Sequence, residues 1–468
     1  MRRAAAALLA VTVLPSLFID PSWSQAAALG SGAPNVRPVA CAGLPERPAE
    51  LCLVVLVSRH SIRSPLPYTP PAELLTKRPA GWPRWPAPAS VPGNLSAHGK
   101  DVAGALGAYY RAFYAGQALL PPPGQCAPGA DVWVYADTSE RTIQTAEGLV
   151  GGFFRRDPSA CGGVPVHRGA ASVDPIFKPL QAGTARPDLA RARREITVLA
   201  GAPISSLAER FREPLAMMQR VLDCCQPEAC VSAGVPPPCG LAGIPTRLVT
   251  DEKTGAISLR GGLALAGGFA DDFLLQYAEG MPLRDCATAA GAPCVGWGQI
   301  TPGSLQTMLE LYVLKQTIDN RPPAVARASG SALVRQILGA LRQKTAGAAD
   351  AGVLVPAAAR FAAFVGHDTN LSNLGGLLRL SWKTSDYPVN TTPPASALIF
   401  ELHRDRVTGG FFVRTFFLTM TPRQFRNLAT VSTAGPPTRV PLVIAGCGGP
   451  NCPFARFEAV VTAAINGR

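Results

Sequence analysis

One histidine and two arginines fall within five positions in Arg59-His60-Ser61-Ile62-Arg63, ahead of Ser64-Pro65. Guanidinium groups match tetrahedral oxyanions with paired N–H donors, and an imidazole held between two of them can attack phosphorus as well as bind it. Far downstream, Gly366-His367-Asp368-Thr369-Asn370 supplies a second histidine and a carboxylate, and Ala136-Asp137-Thr138-Ser139-Glu140-Arg141-Thr142 supplies a third arginine. Hydrolysis of a phosphate monoester needs a nucleophile, compensation for charge on the equatorial oxygens, and a proton for the leaving alkoxide. These residues supply each in turn. His60 is the nucleophile and forms a phosphohistidine, Arg59, Arg63, Arg141 and His367 hold the phosphoryl oxygens, and Asp368 is the proton donor. A carboxyl group donates only while protonated, so the scheme expects activity at acid pH or a raised Asp368 pKa. It calls for no metal and no cofactor.

Elements that deliver such residues to one place are legible nearby. The His60 cluster follows the apolar run Leu51–Val57, the Arg141 cluster follows Val132–Tyr135, and the His367 cluster follows Phe361–Val365. With Leu398–Leu402, these read as short buried strands, and Gly99–Gln117 and Thr142–Phe154 read as helices between them. Alternation of this kind predicts an α/β fold, a mostly parallel sheet flanked by helices, whose ligand site lies at the carboxyl ends of the strands. From about Arg186 to Leu311 the pattern turns helical, with cysteine pairs, Pro/Gly breaks and no convincing strand series. The expected division is therefore a discontinuous α/β catalytic domain, 37–185 and 312–468, interrupted by an inserted all-α domain, 186–311. Pro65–Pro92 and Pro121–Pro123 are loops near the proposed site.

The chain has 468 residues, 47% of them apolar, enough for a large core and more than one domain. Met1-Arg2-Arg3 followed by Ala4–Ile19 has the charged start and short apolar run of a secretory leader, with small residues for cleavage near Ala26. We read residues 1–26 as a signal peptide. A membrane anchor is the competing reading, but Pro15 interrupts the run and Asp20 ends it short of a bilayer span. Export to the periplasm or outside the cell suits the 12 cysteines. Their spacing suggests local bridges Cys41–Cys52, Cys126–Cys161, Cys286–Cys294 and Cys447–Cys452, leaving Cys224, Cys225, Cys230 and Cys239 to pair among themselves. Zinc is the rival use of those four, disfavoured by the lack of a nearby histidine and by the adjacency of Cys224 and Cys225. The net charge of +13, about +12 without the leader, suits an anionic partner. The basic residues are scattered rather than gathered in tracts, which points to a small polyanionic substrate and away from nucleic acid.

Taken together, Arg-His-x-x-Arg-x-Pro and the distal His-Asp resemble the histidine acid phosphatases. Gly366-His367-Asp368-Thr369-Asn370-Leu371 with Asn373-Leu374-Gly375-Gly376, Asp137 with Glu140-Arg141-Thr142, and Trp82-Pro83-x-Trp85 are similar to the bacterial periplasmic phytases and glucose-1-phosphatases. The resemblance runs from about residue 40 to the C-terminus. It implies a cleft between an α/β and an inserted α domain, phosphorylation of His60, and Asp368 as acid. It also implies substrate contacts from Asp137, Thr369, Asp271 (where the phytases carry a pocket glutamate) and Arg321, which matches one of their phosphate-binding arginines. Departures bear on substrate. Ser61 stands where many relatives have glycine, and Leu66-Pro67 replaces a Thr-Lys pair whose lysine contacts phosphate in the phytases. The expected partner is a small inositol or sugar phosphate, preferably phytate, acted on by a monomer with no membrane anchor after leader cleavage. A glucose-1-phosphatase-like enzyme is the alternative.

Plainer readings stand beside these. Arg-His-x-x-Arg alone occurs by chance, as a surface ion-pair cluster. Asp137 and Glu140 could be helix N-terminal carboxylates, Glu140 the more clearly structural of the two. His98, His167 and His403 lie outside the motifs and read as surface or capping residues, and Trp82 and Trp85 as plugs for a Pro-rich loop. A periplasmic polyanion-binding protein is the non-enzymatic rival and a phosphomutase the second enzymatic one. No Gly-x-Ser-x-Gly elbow, Walker loop or dinucleotide fingerprint is present, so serine hydrolase, NTPase and dehydrogenase readings find no support.

Overall fold

The computed structural model describes residues 41, 48–67, 75–77, 85–126, 129–155, 163–281 and 300–467. The leader, Trp82-Pro83, Cys161, Cys286 and Cys294 lie outside the described residues. In chain order, β1 (Ala49–Arg59), α1 (Ala97–Ala115), β2 (Val132–Ala136), α2 (Glu140–Phe154) and β3 (Val166–His167) come first. The expected strands and helices of this stretch are present, with ends shifted by a few residues.

Every side chain of β1 from Leu51 onward is buried because the strand is covered on both faces. Leu53, Val55 and Val57 join one core, Val54 and Leu56 the other, the period-two alternation of a pleated strand. Neighbouring strands obey the same rule: Trp133 and Tyr135 of β2 face one core, and Val132, Val134 and Ala136 face the other.

Helices α3 (Leu189–Ala200), α4 (Leu207–Arg210), α5 (Arg212–Leu222), α6 (Pro227–Ser232), α7 (Gly262–Ala278) and α8 (Pro302–Asn320) follow. They bury a third core, built around Leu215, Met218, Phe269, Phe273, Met308 and Leu311. Asp188 caps α3 through its side chain and Gly201 ends it with φ of 64°, a left-handed turn suited to glycine. One feature corrects the sequence reading. A two-stranded antiparallel hairpin, β4 (Arg247–Thr250) and β5 (Ile257–Arg260), lies inside the stretch expected to be all-helical. Each strand is only four residues long, too short to give a periodic signal among helices.

The chain then returns to the sheet through α9 (Pro323–Ala346), β6 (Phe361–Gly366), α10 (Asp368–Leu377), β7 (Ala397–Asp405), β8 (Phe411–Thr419), α11 (Pro422–Arg426), β9 (Thr438–Leu442), β10 (Cys452–Pro453) and α12 (Phe454–Asn466). The eight strands run in the order β10-β8-β7-β1-β6-β2-β3, with β9 also on β8. From β1 through β6 and β2 to β3 the pairing is parallel, and from β1 through β7 outward it is antiparallel. Crossover helices are confined to the parallel half, so the site-bearing loops are too. Disulfides join Cys41 to Cys52, Cys224 to Cys225, Cys230 to Cys239 and Cys447 to Cys452. The four central cysteines thus pair among themselves. No helix among the described residues is long and apolar enough to cross a membrane.

Candidate active site

Parallel register sets the site. Arg59, the last residue of β1, pairs with Gly366 of β6, and Ala136, the last of β2, pairs with the adjacent Val365. The ladder continues one step further, with His60 N donating to Gly366 O at 2.8 Å and Asp137 N donating to Val365 O at 3.0 Å. His60, Asp137 and His367 therefore leave three adjacent strands at the same level. Two helices begin there: α2, carrying Arg141 in its first turn, and α10, with His367 as N-cap and Asp368 as first residue. Both N-termini favour negative charge. The His60 loop is pressed against α1 at Gly99, where a Cβ would collide with Ile62 O.

His60 is 2% exposed, and its ring lies edge-on to that of His367 with centroids 5.6 Å apart. Nδ1 of His60 is 2.8 Å from Ser61 O, a partner that only accepts, so Nδ1 carries the proton and Nε2 keeps its lone pair. Burial, with Arg141, Arg59, Arg63 and His367 adding to it, pushes the imidazole well below its ordinary pKa. A neutral, oriented imidazole is the form that attacks phosphorus.

The arginines are held from the helical side. Arg59 is fully buried and donates through Nη2 to both Asp271 carboxylate oxygens, at 2.8 and 2.9 Å, and through Nη1 to Thr392 O at 2.6 Å. Burial alone would lower its pKa, but Asp271, Tyr312 and Asp368 outweigh it and raise it. Arg63 reaches Asp271 Oδ2 at 3.3 Å and Asp272 Oδ1 at 3.6 Å. Arg141 Nη2 lies 3.4 Å from His367 Nδ1, and burial beside Arg63 lowers it to about 10. The Nε–H groups of Arg59, Arg63 and Arg141 are buried without a protein acceptor. Such donors in a crowded cationic pocket suit an anionic ligand.

Asp137 is not a capping carboxylate. Its Oδ2 accepts from His367 Nε2 at 2.7 Å, Lys178 Nζ at 2.6 Å and Ser139 Oγ at 2.8 Å. Burial would raise its pKa, yet His367 and Lys178 prevail and hold it below the usual carboxylate range. The ionised carboxylate fixes the His367 ring, leaving Nδ1 toward Arg141. Glu140 is structural, accepting from Leu95 N at 2.9 Å.

Asp368 Oδ2 accepts from Gln316 Nε2 at 2.7 Å and Tyr312 Oη at 3.0 Å, and Oδ1 accepts from Thr369 N at 2.9 Å. Thr369 therefore acts here through its backbone. Burial raises the Asp368 pKa, but Arg59, Arg63, His367 and the Tyr312 hydrogen bond together lower it. The raised pKa that the sequence allowed is therefore not found, which leaves acid pH as the way to protonate Asp368. The arginines that crowd the pocket are thus what keeps Asp368 ionised.

Arg321 is expected from the resemblance to contact a substrate phosphate. It caps the end of α8, where its guanidinium stacks 5.4 Å over the Trp382 ring and donates to Leu380 O. Burial lowers its pKa to about 10. Its Nη1 is buried without a protein acceptor. His403 is corrected, being 7% exposed and 3.2 Å from Glu401 Oε2. His98, with Nε2 2.8 Å from Phe425 O, and exposed His167 fit their plain readings, as does Trp85, buried against the sheet. Lys178, Tyr312 and Gln316 escaped the sequence reading. The four-residue spacing of Tyr312 and Gln316, which puts both on one face of α8, was the available signal.

A cleft of about 800 Å³ opens beside these residues, lined by Arg63, Asp271, Tyr312, Gln316 and Asp368 at one end. Leu66 and Pro67 also line it.

His60 among arginines at parallel strand ends, faced by Asp368 at the start of the next helix, is an arrangement suited to a phosphorylated ligand. The chain belongs to the histidine phosphatase superfamily (branch 2), whose sequence model matches residues 50–174 and 250–418. It is 32% identical to phytase AppA of Escherichia coli (strain K12) over 418 residues, 88% of this chain and 91% of that protein. Glucose-1-phosphatase of Salmonella typhimurium is 26% identical over 423 residues, 89% of this chain and 92% of its own. Among solved structures, Hafnia alvei phytase in complex with myo-inositol hexakis sulphate superposes with a TM-score of 0.77 at 27% identity, covering 90% of this chain and 98% of that one.

Proposed function

We propose that this protein is an exported acid phosphatase that hydrolyses phosphomonoesters, phytate among them, through a phosphohistidine on His60. One observation carries the reading: the Nδ1–H of His60 is committed to Ser61 O, so Nε2 presents its lone pair amid Arg59, Arg63 and Arg141. In the first step Nε2 attacks phosphorus, the P–O bond to the leaving group breaks, and Asp368 gives its proton to the departing oxygen. In the second, the Asp368 carboxylate takes a proton from water as its oxygen attacks phosphorus, the N–P bond breaks, and inorganic phosphate leaves. Arg59, Arg63 and Arg141 hold the equatorial oxygens through both steps, and His367 joins them in its protonated form, whose Nδ1–H can donate.

Phosphate binding prepares the acid. A dianion among the arginines cancels the charges that depress Asp368, while burial continues to favour its neutral form. Activity is accordingly expected at acid pH. Asp271, which bridges Arg59 and Arg63, acts by orienting both guanidiniums. Export is supported by the leader pattern and the disulfides, and we take the enzyme to act as a monomer with its helical segment, 186–311, forming one wall of the cleft.

The identity of the nearest substrate contacts favours some breadth. Leu66 and Pro67 place apolar surface in the cleft, which suits a sugar phosphate such as glucose 1-phosphate as well as phytate. Phosphate release from phytate, glucose 1-phosphate and an aryl phosphate, measured from acid to neutral pH with wild type and His60→Ala, tests the reading. Activity in wild type alone supports it, and comparable activity in both refutes it.

A further inference from the structure

The cleft carries further charge that the chemistry at His60 does not use. In the β4–β5 hairpin, Arg247 and Arg260 are directly opposed partners, and both line the cleft with Val249 of the same face. The opposite face, with Leu248, Ile257 and Leu259, turns to the helical core. Like charges placed directly opposite on a two-stranded ribbon destabilise it. Neither guanidinium has a carboxylate or hydrogen-bond partner among the described residues, whereas Arg186, Arg191 and Arg193 nearby are all engaged. Lys315, on α8, lines the cleft too and feels the charge of Arg260; its own partner is Asp319 at 2.7 Å.

We propose that Arg247 and Arg260, supported by Lys315, form a second anion subsite that receives a non-reacting phosphate of a polyphosphorylated substrate while another phosphate sits at His60. This rests on the phosphatase reading above and assigns its polyanion specificity to the hairpin. Cross-strand pairing brings the two guanidiniums to one side of the ribbon, so they can grip one phosphate together with charge-assisted hydrogen bonds. A cleft of about 800 Å³ has room for a substituted ring between the two positions. The subsite also accounts for tolerance of Pro67, where the phytases that the chain resembles place a lysine. A monophosphate has nothing to offer the hairpin, so only its reaction centre is engaged.

The test compares wild type with the double variant Arg247→Gln/Arg260→Gln. Titration calorimetry with myo-inositol hexakis sulphate, a ligand that the site cannot turn over as a phosphate ester, should show affinity falling roughly tenfold or more, as expected for lost charge-assisted contacts. Affinity for inorganic sulphate at the His60 pocket should stay within about twofold. In kinetics, KM for phytate should rise by a similar factor, with kcat and the constants for glucose 1-phosphate nearly unchanged, which also shows that the variant is folded. Unchanged hexakis sulphate affinity, or an equal loss for inorganic sulphate, would overturn the subsite. Arginine-dependent hexakis sulphate binding by a protein that hydrolysed neither phosphate ester would keep the subsite and reject the phosphatase reading instead.

Discussion

Replacing Tyr312 with phenylalanine should move the alkaline limb of the kcat profile upward. The ring packs in the helical core, so the change removes one hydroxyl and little volume. That hydroxyl donates to Asp368 Oδ2 at 3.0 Å and is one of the interactions holding Asp368 in its ionised form. A hydrogen bond to a charged group contributes about 1.5–3 kcal/mol, and each pKa unit corresponds to about 1.4 kcal/mol, giving roughly one to two units. Gln316 still donates to the same oxygen at 2.7 Å, which places the expected shift near the lower figure, about one unit upward. A general acid works only while protonated, so activity is lost as pH rises through its pKa, and raising that pKa carries the loss to higher pH. The assay is kcat against pH with glucose 1-phosphate, with an aryl phosphate as control because its phenolate leaves without a proton. A limb that stays in place, or moves to lower pH, would refute the assignment of Asp368 and the electrostatics derived for it.

Asp368→Asn should lower turnover of sugar and inositol phosphates by about 10²- to 10⁴-fold and that of aryl phosphates far less, and equal losses on both would remove Asp368 from the acid role. Pro67→Lys should reduce KM for phytate and leave that for glucose 1-phosphate nearly unchanged, since an added cation in the cleft finds a second phosphate only when the substrate has one. Lys178→Met takes from Asp137 its lysine partner, leaving the hydrogen bonds from His367 and Ser139, and Lys178 is partly exposed. A roughly tenfold fall in kcat/KM is expected, with Lys178→Arg restoring most of it and thermal melting nearly unchanged.

The strand-end placement of His60, Arg141 and His367 was legible because each follows an apolar run short enough to be only a buried strand, and parallel pairing then levels their ends. Other parts of the site depend on contacts that no local pattern encodes. Lys178 meets Asp137 from a loop without regular structure, and Tyr312 and Gln316 reach Asp368 from a helix of another layer. Arg321 shows the same limit. Its position matched a phosphate-binding arginine by resemblance, but nothing local in the sequence announces the Trp382 ring and the Leu380 carbonyl that its guanidinium meets. The β4–β5 hairpin was hidden by its brevity, although two of its arginines line the cleft.

The central claim is a covalent bond between phosphorus and Nε2 of His60. Rapid mixing of enzyme with labelled substrate at acid pH, quenching under denaturing conditions and mapping of the labelled peptide tests it directly. Label in an acid-labile, base-stable linkage on the peptide containing His60, absent from His60→Ala, is the predicted result. Label on another residue, or substantial turnover by His60→Ala, would contradict the account.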